Sequence, residues 1–174
     1  MILKILAVVV VLIVAVLLFA ATKPSTFHIQ RSLTMQAPAD KIFPLIDDLY
    51  NWPRWAPQDR DDSTMRRSFS GAASGVGAMS SWSGTGSTGK GTMTITESTP
   101  QSITIAVDWT RPFAARNINQ FTLEPDGNAT KVMWSMDGPN LYMMKLMSVF
   151  TNMDSMMGQH FQEGLANLKA EAEK

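Results

Sequence analysis

Hydrophobic and polar positions follow three different patterns along the chain. The first is an unbroken apolar run from Ile5 to Ala21, 17 residues without a charged side chain. From Phe27 to Met35, apolar and polar residues alternate, which predicts a half-buried strand that ends before Pro38. From Gly138 onwards, apolar residues recur at three- and four-residue intervals, which predicts one long C-terminal helix with a buried stripe.

The region between these elements predicts two short helices followed by an antiparallel meander. Residues Ala39–Asp47 and Leu49–Trp55 have helical patterns that prolines interrupt. From residue 66 to 137, short alternating runs are separated by Gly, Pro, Asn and Asp, as in antiparallel strands joined by turns. The clearest predicted strands are Gly91–Glu97, Ser102–Trp109, Ile118–Glu124 and Thr130–Met136.

Two glycines lie inside the predicted C-terminal helix. Each costs about 1 kcal/mol relative to alanine in a helix interior. Gly158 and Gly164 therefore indicate either a kink or a close approach of the helix to the sheet or to a ligand.

The N-terminal apolar run is long enough to cross a bilayer as a helix. At about 1.5 Å per residue it is near the lower limit for a span, and Lys4 can reach the headgroups at its start. A cleaved secretory signal is the alternative, but cleavage after Ala20 leaves Leu18 where a small residue is needed. We therefore expect residues 1–23 to be an uncleaved anchor, with residues 2–21 in the membrane.

Charge alone barely decides the orientation of the anchor. Lys4 precedes the apolar run, whereas Lys23 and Arg31 follow it, so basic residues flank both sides. Because a short N-terminal tail usually stays in the cytoplasm, we expect a single-pass protein of a bacterial-type inner membrane. Its soluble domain, residues 24–174, is then periplasmic or otherwise extracytoplasmic.

Composition excludes several classes of function. The 15 Lys and Arg residues are balanced by 15 Asp and Glu residues, and no basic block is present, which argues against a nucleic-acid partner. The absence of Cys excludes disulfides, thiolate metal sites and a Cys nucleophile. His28 and His160 lack the spacing of metal ligands, so we expect neither a metal site nor a cofactor.

The stretch from Gly84 to Gly91 resembles a phosphate-binding loop but departs from it in two ways. It matches G-x-x-x-x-G-K and then has Gly91 where Ser or Thr should hold magnesium. It also precedes an alternating run, whereas a phosphate loop opens a helix. We therefore expect a hairpin turn with a solvated Lys90.

Four segments together resemble a known family. They are Ala37–Pro57 (APADKIFPLIDDLYNWPRWAP), Ser74–Gly84 (SGVGAMSSWSG), Gly91–Trp109 (GTMTITESTPQSITIAVDW) and Phe121–Pro139 (FTLEPDGNATKVMWSMDGP). In this order, within residues 27–170, they are similar to the START-like SRPBCC superfamily, in its polyketide cyclase/dehydrase-type branch.

The resemblance implies an α+β helix-grip fold, here preceded by one N-terminal transmembrane helix. In this fold a curved antiparallel sheet wraps around a long C-terminal helix and encloses a cavity. Members of the superfamily use this cavity for lipids, sterols, hormones, polyketides or isoprenoid quinones, without a common catalytic set. The resemblance therefore implies a hydrophobic small-molecule partner and no catalytic residue.

Strand parity predicts which side chains line such a cavity. If the apolar side of each strand points inward, one wall consists of Met93, Ile95, Ile105, Val107, Trp109, Phe121, Leu123, Val132, Trp134 and Met136. The helix supplies the other wall with Met143, Met144, Met147, Phe150, Met153, Met156 and Met157. Methionines adapt to different apolar shapes, although they also occur in solid cores.

Polar and aromatic candidates complete the predicted site. Arg31 and Asn119 share the apolar parity of their strands, so either can present a donor to a ligand, although Arg31 can also turn outward at the strand end. Trp52 and Trp55 lie where the cavity mouth often forms in this family. They either pack in the core or act as a ligand gate or a membrane contact.

Three functional classes remain open on these grounds. We favour a membrane-anchored domain that binds a lipid, an isoprenoid or a polyketide-like molecule. The second class is a cyclase- or dehydratase-type enzyme, with Asp108, Glu97, His160 and Arg31 as candidate groups. The third is an envelope module that binds another protein through a sheet edge or the Trp-rich corner. A hollow interior would favour the first two classes, and a solid interior the third. The sequence leaves the oligomeric state open.

Overall fold

The computed structural model describes residues 1–58, 62–85 and 88–174, apart from the side chain of Met153. Helix α1 spans Ile2–Thr22, and its apolar side chains are exposed, with Ala20 as its buried residue. Within the described part of the chain, α1 is the helix that is long and apolar enough to cross a membrane, with a mean hydropathy of 3.3. Membrane anchors and signal sequences share this property.

The chain after α1 is built on one antiparallel sheet of seven strands. Its order in space is β1-β7-β6-β5-β4-β3-β2. Consecutive strands from β2 to β7 are paired, and β1 pairs with β7. The strands are β1 (Thr26–Met35), β2 (Arg66–Gly71), β3 (Ala78–Ser83), β4 (Lys90–Thr99), β5 (Ser102–Arg111), β6 (Ala115–Asp126) and β7 (Ala129–Pro139). The alternating runs predicted from the sequence all lie within these strands.

Two short helices follow β1 in the described part of the chain before residue 56. Helix α2 spans Ala39–Asp47 and buries Ile42, Leu45 and Ile46. A 3-10 helix follows at Leu49–Arg54, and the carboxylate of Asp48 caps it by accepting a bond from the Tyr50 N–H at 2.9 Å.

The predicted single C-terminal helix is wrong in its first part. Strand β7 continues to Pro139, and the helical pattern then divides into α3 (Tyr142–Met147) and α4 (Met153–Ala172). Helix α4 begins anew because the side chain of Asn152 accepts a bond from the Ser155 N–H at 3.1 Å, which satisfies a free amide at the helix start. Helix α4 packs against the sheet, as expected for a helix-grip fold.

Strand direction gives the sheet two distinct ends. The pairing of Thr26 with Pro139 and of Trp109 with Ala115 brings the start of β1 and the β5–β6 connection to one end. We call it the anchor end, because α1 leads into β1 there. The opposite end, at the turn between Asp126 and Ala129, is called the distal end.

The glycine-rich stretch forms part of the β3–β4 connection at the anchor end. Lys90 begins strand β4, so a strand follows the stretch where a phosphate loop would open a helix. Gly86 and Ser87 lie outside the described residues.

Candidate functional site

A cavity lies at the anchor end, between the sheet and helices α3 and α4. Its first compartment has a volume of about 270 Å³ and mostly apolar walls. The lining residues are Phe27, Trp109, Pro112, Phe113, Ala115, Asn117, Leu141, Met144, Met147, Thr151, Met156 and Met157. The methionines of the helical segment therefore face aromatic residues of the sheet across open space.

Two further compartments share walls with the first. One, of about 310 Å³, has Trp109, Met156 and Met157 in common with it and reaches inward to Trp134 and His160. The other is enclosed and has about 30 Å³, room for about one water molecule. Its walls are Trp52, Gln58, Met65, Arg67, Trp82, Met93, Val107, Trp109, Asn119 and Met136. The three compartments together are called the cavity below.

The distal half of the interior is an aromatic core, and its Trp134 and Phe161 also border the second compartment. Trp134 stacks on Phe161 with ring centroids 4.2 Å apart and on Phe121 at 4.9 Å. The indole N–H of Trp52 donates to the Ile46 carbonyl at 2.9 Å, and that of Trp55 to the Leu45 carbonyl at 2.8 Å. Both tryptophans are fully buried, which is packing in the core and not a position at the mouth.

The structure distributes the residues predicted to line a cavity over several environments. Those that line it are Trp52, Met93, Val107, Trp109, Trp134, Met136, Met147 and Met157. Trp55, Ile95, Ile105 and Phe121 are buried in the solid core. Phe150 is 74% exposed and lies at a surface groove, and the side chain of Met153 lies outside the described residues. Strand parity thus selected inward-facing residues without separating cavity walls from solid core.

Arg31 joins the sheet to the start of α4 instead of lining the cavity. Its guanidinium donates to the Asp154 carboxylate at 3.0 and 3.2 Å and to the Gln30 carbonyl at 2.7 Å. Hydrogen bonding from Arg31 to the Asp154 carboxylate, more than the charge interaction between them, holds the pKa of Asp154 below its ordinary value. Arg31 therefore keeps the apolar parity of its strand and faces α4, where Asp154 balances its charge.

Asn119 points an amide into the cavity wall, and Asn117 does the same two residues earlier. Asn119 is 4% and Asn117 7% exposed. The Oδ1 atom of each has no hydrogen-bond partner among the described residues, and the same holds for Gln58 Oε1 and for Nε1 of Trp109 and Trp134. An unsatisfied buried polar group costs about 1–3 kcal/mol. All five side chains line the cavity, so a ligand with hydroxyl or carbonyl groups could satisfy them.

Sequence reasoning missed Asn117 because the predicted strand began at Ile118, three residues after the start of β6. Strand β6 begins at Ala115, and the parity of Asn119 extends to Asn117. A Cβ atom at residue 138 would overlap the Asn117 amide, so Gly138 on β7 makes room for it. An Asn opposite a strand glycine is the signal that could have identified this residue.

The groups proposed for acid–base catalysis are mostly directed away from the cavity. Asp108 lies 3.7 Å from the Arg116 guanidinium on the outer face, and Glu97 accepts a bond from Thr104 at 3.1 Å. Arg31 is held by Asp154. His160 lines the second compartment, so it is the one of these four that reaches the cavity wall in the described structure.

Solved structures with the same fold come from bacteria and plants. A protein from Chromobacterium violaceum is 16% identical, with a TM-score of 0.60 over 87% of this chain and 99% of that chain. The major latex-like protein 151 of Panax ginseng is 12% identical, with a TM-score of 0.60 over 86% and 99%. Norcoclaurine synthase from Thalictrum, in complex with a transition-state analogue, is 12% identical, with a TM-score of 0.59 over 86% and 97%.

These likenesses confirm the helix-grip fold, and the sequence itself assigns the family. No curated protein matches the chain significantly. The family model described as "Polyketide cyclase / dehydrase and lipid transport" matches residues 26–173, which is most of the chain. The START-like resemblance deduced from the four segments is thereby confirmed, and the chain belongs to the polyketide cyclase/dehydrase and lipid transport family.

Proposed function

We propose that residues 24–174 bind a hydrophobic small molecule in the cavity at the anchor end, and that α1 anchors this domain in a membrane. The observation that carries the proposal is the pair of mostly apolar compartments between the sheet and the methionines of α3 and α4. Their volumes, about 270 and 310 Å³, are at the lower end of the range of small-molecule sites.

The chemistry of the walls supports a particular class of ligand. Met144, Met147, Met156 and Met157 supply flexible, polarisable contacts that suit an apolar body of variable shape. The unsatisfied amides of Asn117 and Asn119 favour a ligand that also carries a hydroxyl or another hydrogen-bond donor. A lipid, an isoprenoid alcohol or a polyketide-like molecule combines these features.

Binding fits the interior better than the two alternatives. A protein-interaction module does not require the internal space that the anchor end contains. A cyclase-type enzyme requires acid and base groups beside the substrate, whereas Asp108 and Glu97 make their described contacts outside the cavity. We further propose that the domain is extracytoplasmic, with α1 as its single uncleaved membrane span.

Native mass spectrometry of the full-length chain after mild detergent extraction tests the proposal. We expect a co-purifying hydrophobic mass and displacement of that mass by a fluorescent fatty acid. Ala115→Trp fills the first compartment from the start of β6, so it should reduce probe binding at least tenfold. Ala114→Trp is the matched control because Ala114 is exposed and outside the cavity lining.

Two results would contradict the proposal. One is a protein that is free of any hydrophobic mass and also ignores fluorescent fatty acid. The other is equal binding of the fluorescent fatty acid by Ala115→Trp and Ala114→Trp, because the probe then does not bind in the first compartment.

A further inference from the structure

The linker between α1 and the domain is short and tied to the domain. Residues 23–25 connect Thr22 to the start of β1. The Asn140 N–H donates to the Ser25 carbonyl at 2.8 Å, and the Asn140 side-chain amide donates to the Pro24 carbonyl at 3.0 Å. Because both bonds hold the linker against the end of β7, the anchor end stays close to the end of α1.

Helix α3 packs directly along the last turns of α1. The Tyr142 hydroxyl donates to the Leu17 carbonyl at 3.0 Å, and Ala20 is fully buried. Leu17 lies five residues before the end of α1, about 7.5 Å along the axis at about 1.5 Å per residue. If α1 spans a bilayer, Tyr142 therefore lies at the membrane interface, where tyrosine is enriched.

Large apolar side chains surround the cavity mouth on the same side. Phe113, Met143, Met147, Phe150 and Met156 are between 46% and 74% exposed. They come from the β5–β6 connection and from the α3–α4 segment. Phe113, Met147 and Met156 also line the first compartment. An exposed apolar surface next to a hydrophobic helix is typical of a membrane contact.

Basic residues accompany this apolar surface. Lys90 and Arg111 are paired at the anchor end of β4 and β5 and are both exposed. Lys145 lies on α3, and Lys23 lies at a polar surface groove together with residues 148–152. Lys and Arg near a bilayer are attracted to anionic headgroups.

From these contacts we propose that the anchor end of the domain rests on the bilayer, with the cavity mouth open to the leaflet from which α1 emerges. The occupant of the apolar surface is the lipid bilayer itself. The ligand of the cavity is then a membrane-resident lipid that enters from the leaflet without crossing water. The inference that the ligand comes from the membrane rests on the proposed function. The docking of the anchor end depends only on α1 being a membrane span.

Site-directed spin labelling tests the docking directly, because the chain contains no native Cys. Single Cys residues replace Phe113, Phe150 and, as the control, Asn128 at the distal end. Strand β6 spans 12 residues between the two ends, about 40 Å at about 3.4 Å per residue. The labelled full-length chains are reconstituted into vesicles of phosphatidylethanolamine and phosphatidylglycerol.

The expected result is a difference between two relaxing agents. Labels at residues 113 and 150 should collide more with oxygen, which partitions into lipid, and the label at residue 128 more with a water-soluble nickel chelate. Preferential collision with nickel at residues 113 and 150 would overturn the docking, even if native mass spectrometry still finds a ligand. Shielding of both labels from both agents would overturn it too, because a protein then covers the surface. Lipid-exposed labels with no ligand in the cavity would support the docking and contradict the proposed function alone.

Discussion

The guanidinium of Arg31 on β1 lies over the Cα atom of Gly158 on α4, so closely that a Cβ atom at residue 158 would overlap it. Helix α4 continues without interruption through this position. Gly158 therefore marks a close approach of the helix to the sheet, which was one of the two readings that the sequence allowed. Gly164 is similar, since its Cβ would lie 2.7 Å from the ring of Trp134.

Gly158→Ala should reveal this contact through its dependence on Arg31. Alanine favours a helix by about 1 kcal/mol over glycine, but here the new methyl group displaces the guanidinium from Asp154. We expect no gain in the free energy of unfolding in the native background. In an Arg31→Ala background the same substitution should raise it by about 0.5–1 kcal/mol.

The double-mutant cycle consists of the native chain, Gly158→Ala, Arg31→Ala and the double variant. Urea unfolding of these four full-length chains in detergent, followed by tryptophan fluorescence, measures it. Equal stabilisation by Gly158→Ala with and without Arg31 would show that the two residues are not coupled.

Most of the fold follows from local patterns in the sequence. The period-two runs predicted the strands because one face of the sheet is buried against α4, which imposes alternation on each strand. The break between α3 and α4 was not predicted, because Met147, Phe150 and Met153 keep a helical spacing across it. The hydrogen bond from the Ser155 N–H to the Asn152 side chain starts α4 as a separate helix. The spacing of apolar residues contains no information about this bond.

The candidate site was predictable only in part. Strand parity identifies the side chains that point inward. Whether such a side chain packs in the core or lines the cavity depends on partners that are distant in sequence. Ile105 and Phe121 are enclosed because Trp52, Trp55 and Phe161 fill the distal half, whereas Trp109 faces a compartment. Volumes of residues from four different elements decide between core and cavity, and no single run of sequence contains that information.

Phe161→Ala tests how tightly the aromatic core is packed where it borders the second compartment. Phe161 is buried and stacked parallel to Trp134, at an angle of 4° between the rings. Removal of a buried Phe costs about 3–5 kcal/mol, and we expect a loss of that size in chemical denaturation. Phe150→Ala is the control, because Phe150 is mostly exposed and should change stability in detergent by less than about 0.5 kcal/mol. A similarly small loss for Phe161→Ala would mean that the distal interior is loosely packed.

Asn119→Leu tests the unsatisfied amide in the enclosed compartment of about 30 Å³, which has room for the hydroxyl end of a ligand and not for its chain. Leucine has a similar shape, and because Asn119 Oδ1 has no partner in the described structure, we expect the ligand-free protein to be as stable or more stable. Binding of a long-chain alcohol should weaken about 2- to 12-fold, the equivalent of one hydrogen bond of 0.5–1.5 kcal/mol. Binding of the alkane of equal length should not weaken.

Competition against a fluorescent fatty acid measures both affinities. Asn128→Leu, in the exposed β6–β7 turn, controls for added apolar surface. An equal loss of alcohol and alkane binding in Asn119→Leu would indicate a change of cavity shape and not a lost hydrogen bond.

His28 and Asp137 should make stability depend on pH near neutrality. The Nδ1–H of the His28 ring donates a bond to the Asp137 carboxylate at 2.7 Å, and this bond raises the pKa of His28 above its ordinary value, against a smaller opposing effect of burial. A pKa that is higher in the folded state means that the protonated ring stabilises the fold. This contribution is complete below the unfolded-state pKa and disappears as pH rises through the folded-state pKa.

We therefore expect the native chain to lose stability relative to His28→Gln as the pH rises from about 5.5 to about 8.5. The effect should be small, because both side chains are more than half exposed and solvent screens the pair. An NMR titration of the His28 ring gives the pKa directly, and Asp137→Asn should lower it towards the ordinary value of about 6.5. If Asp137→Asn left the titration unchanged, the carboxylate could not be the cause of the shift, and the pH dependence of stability would need another titrating group.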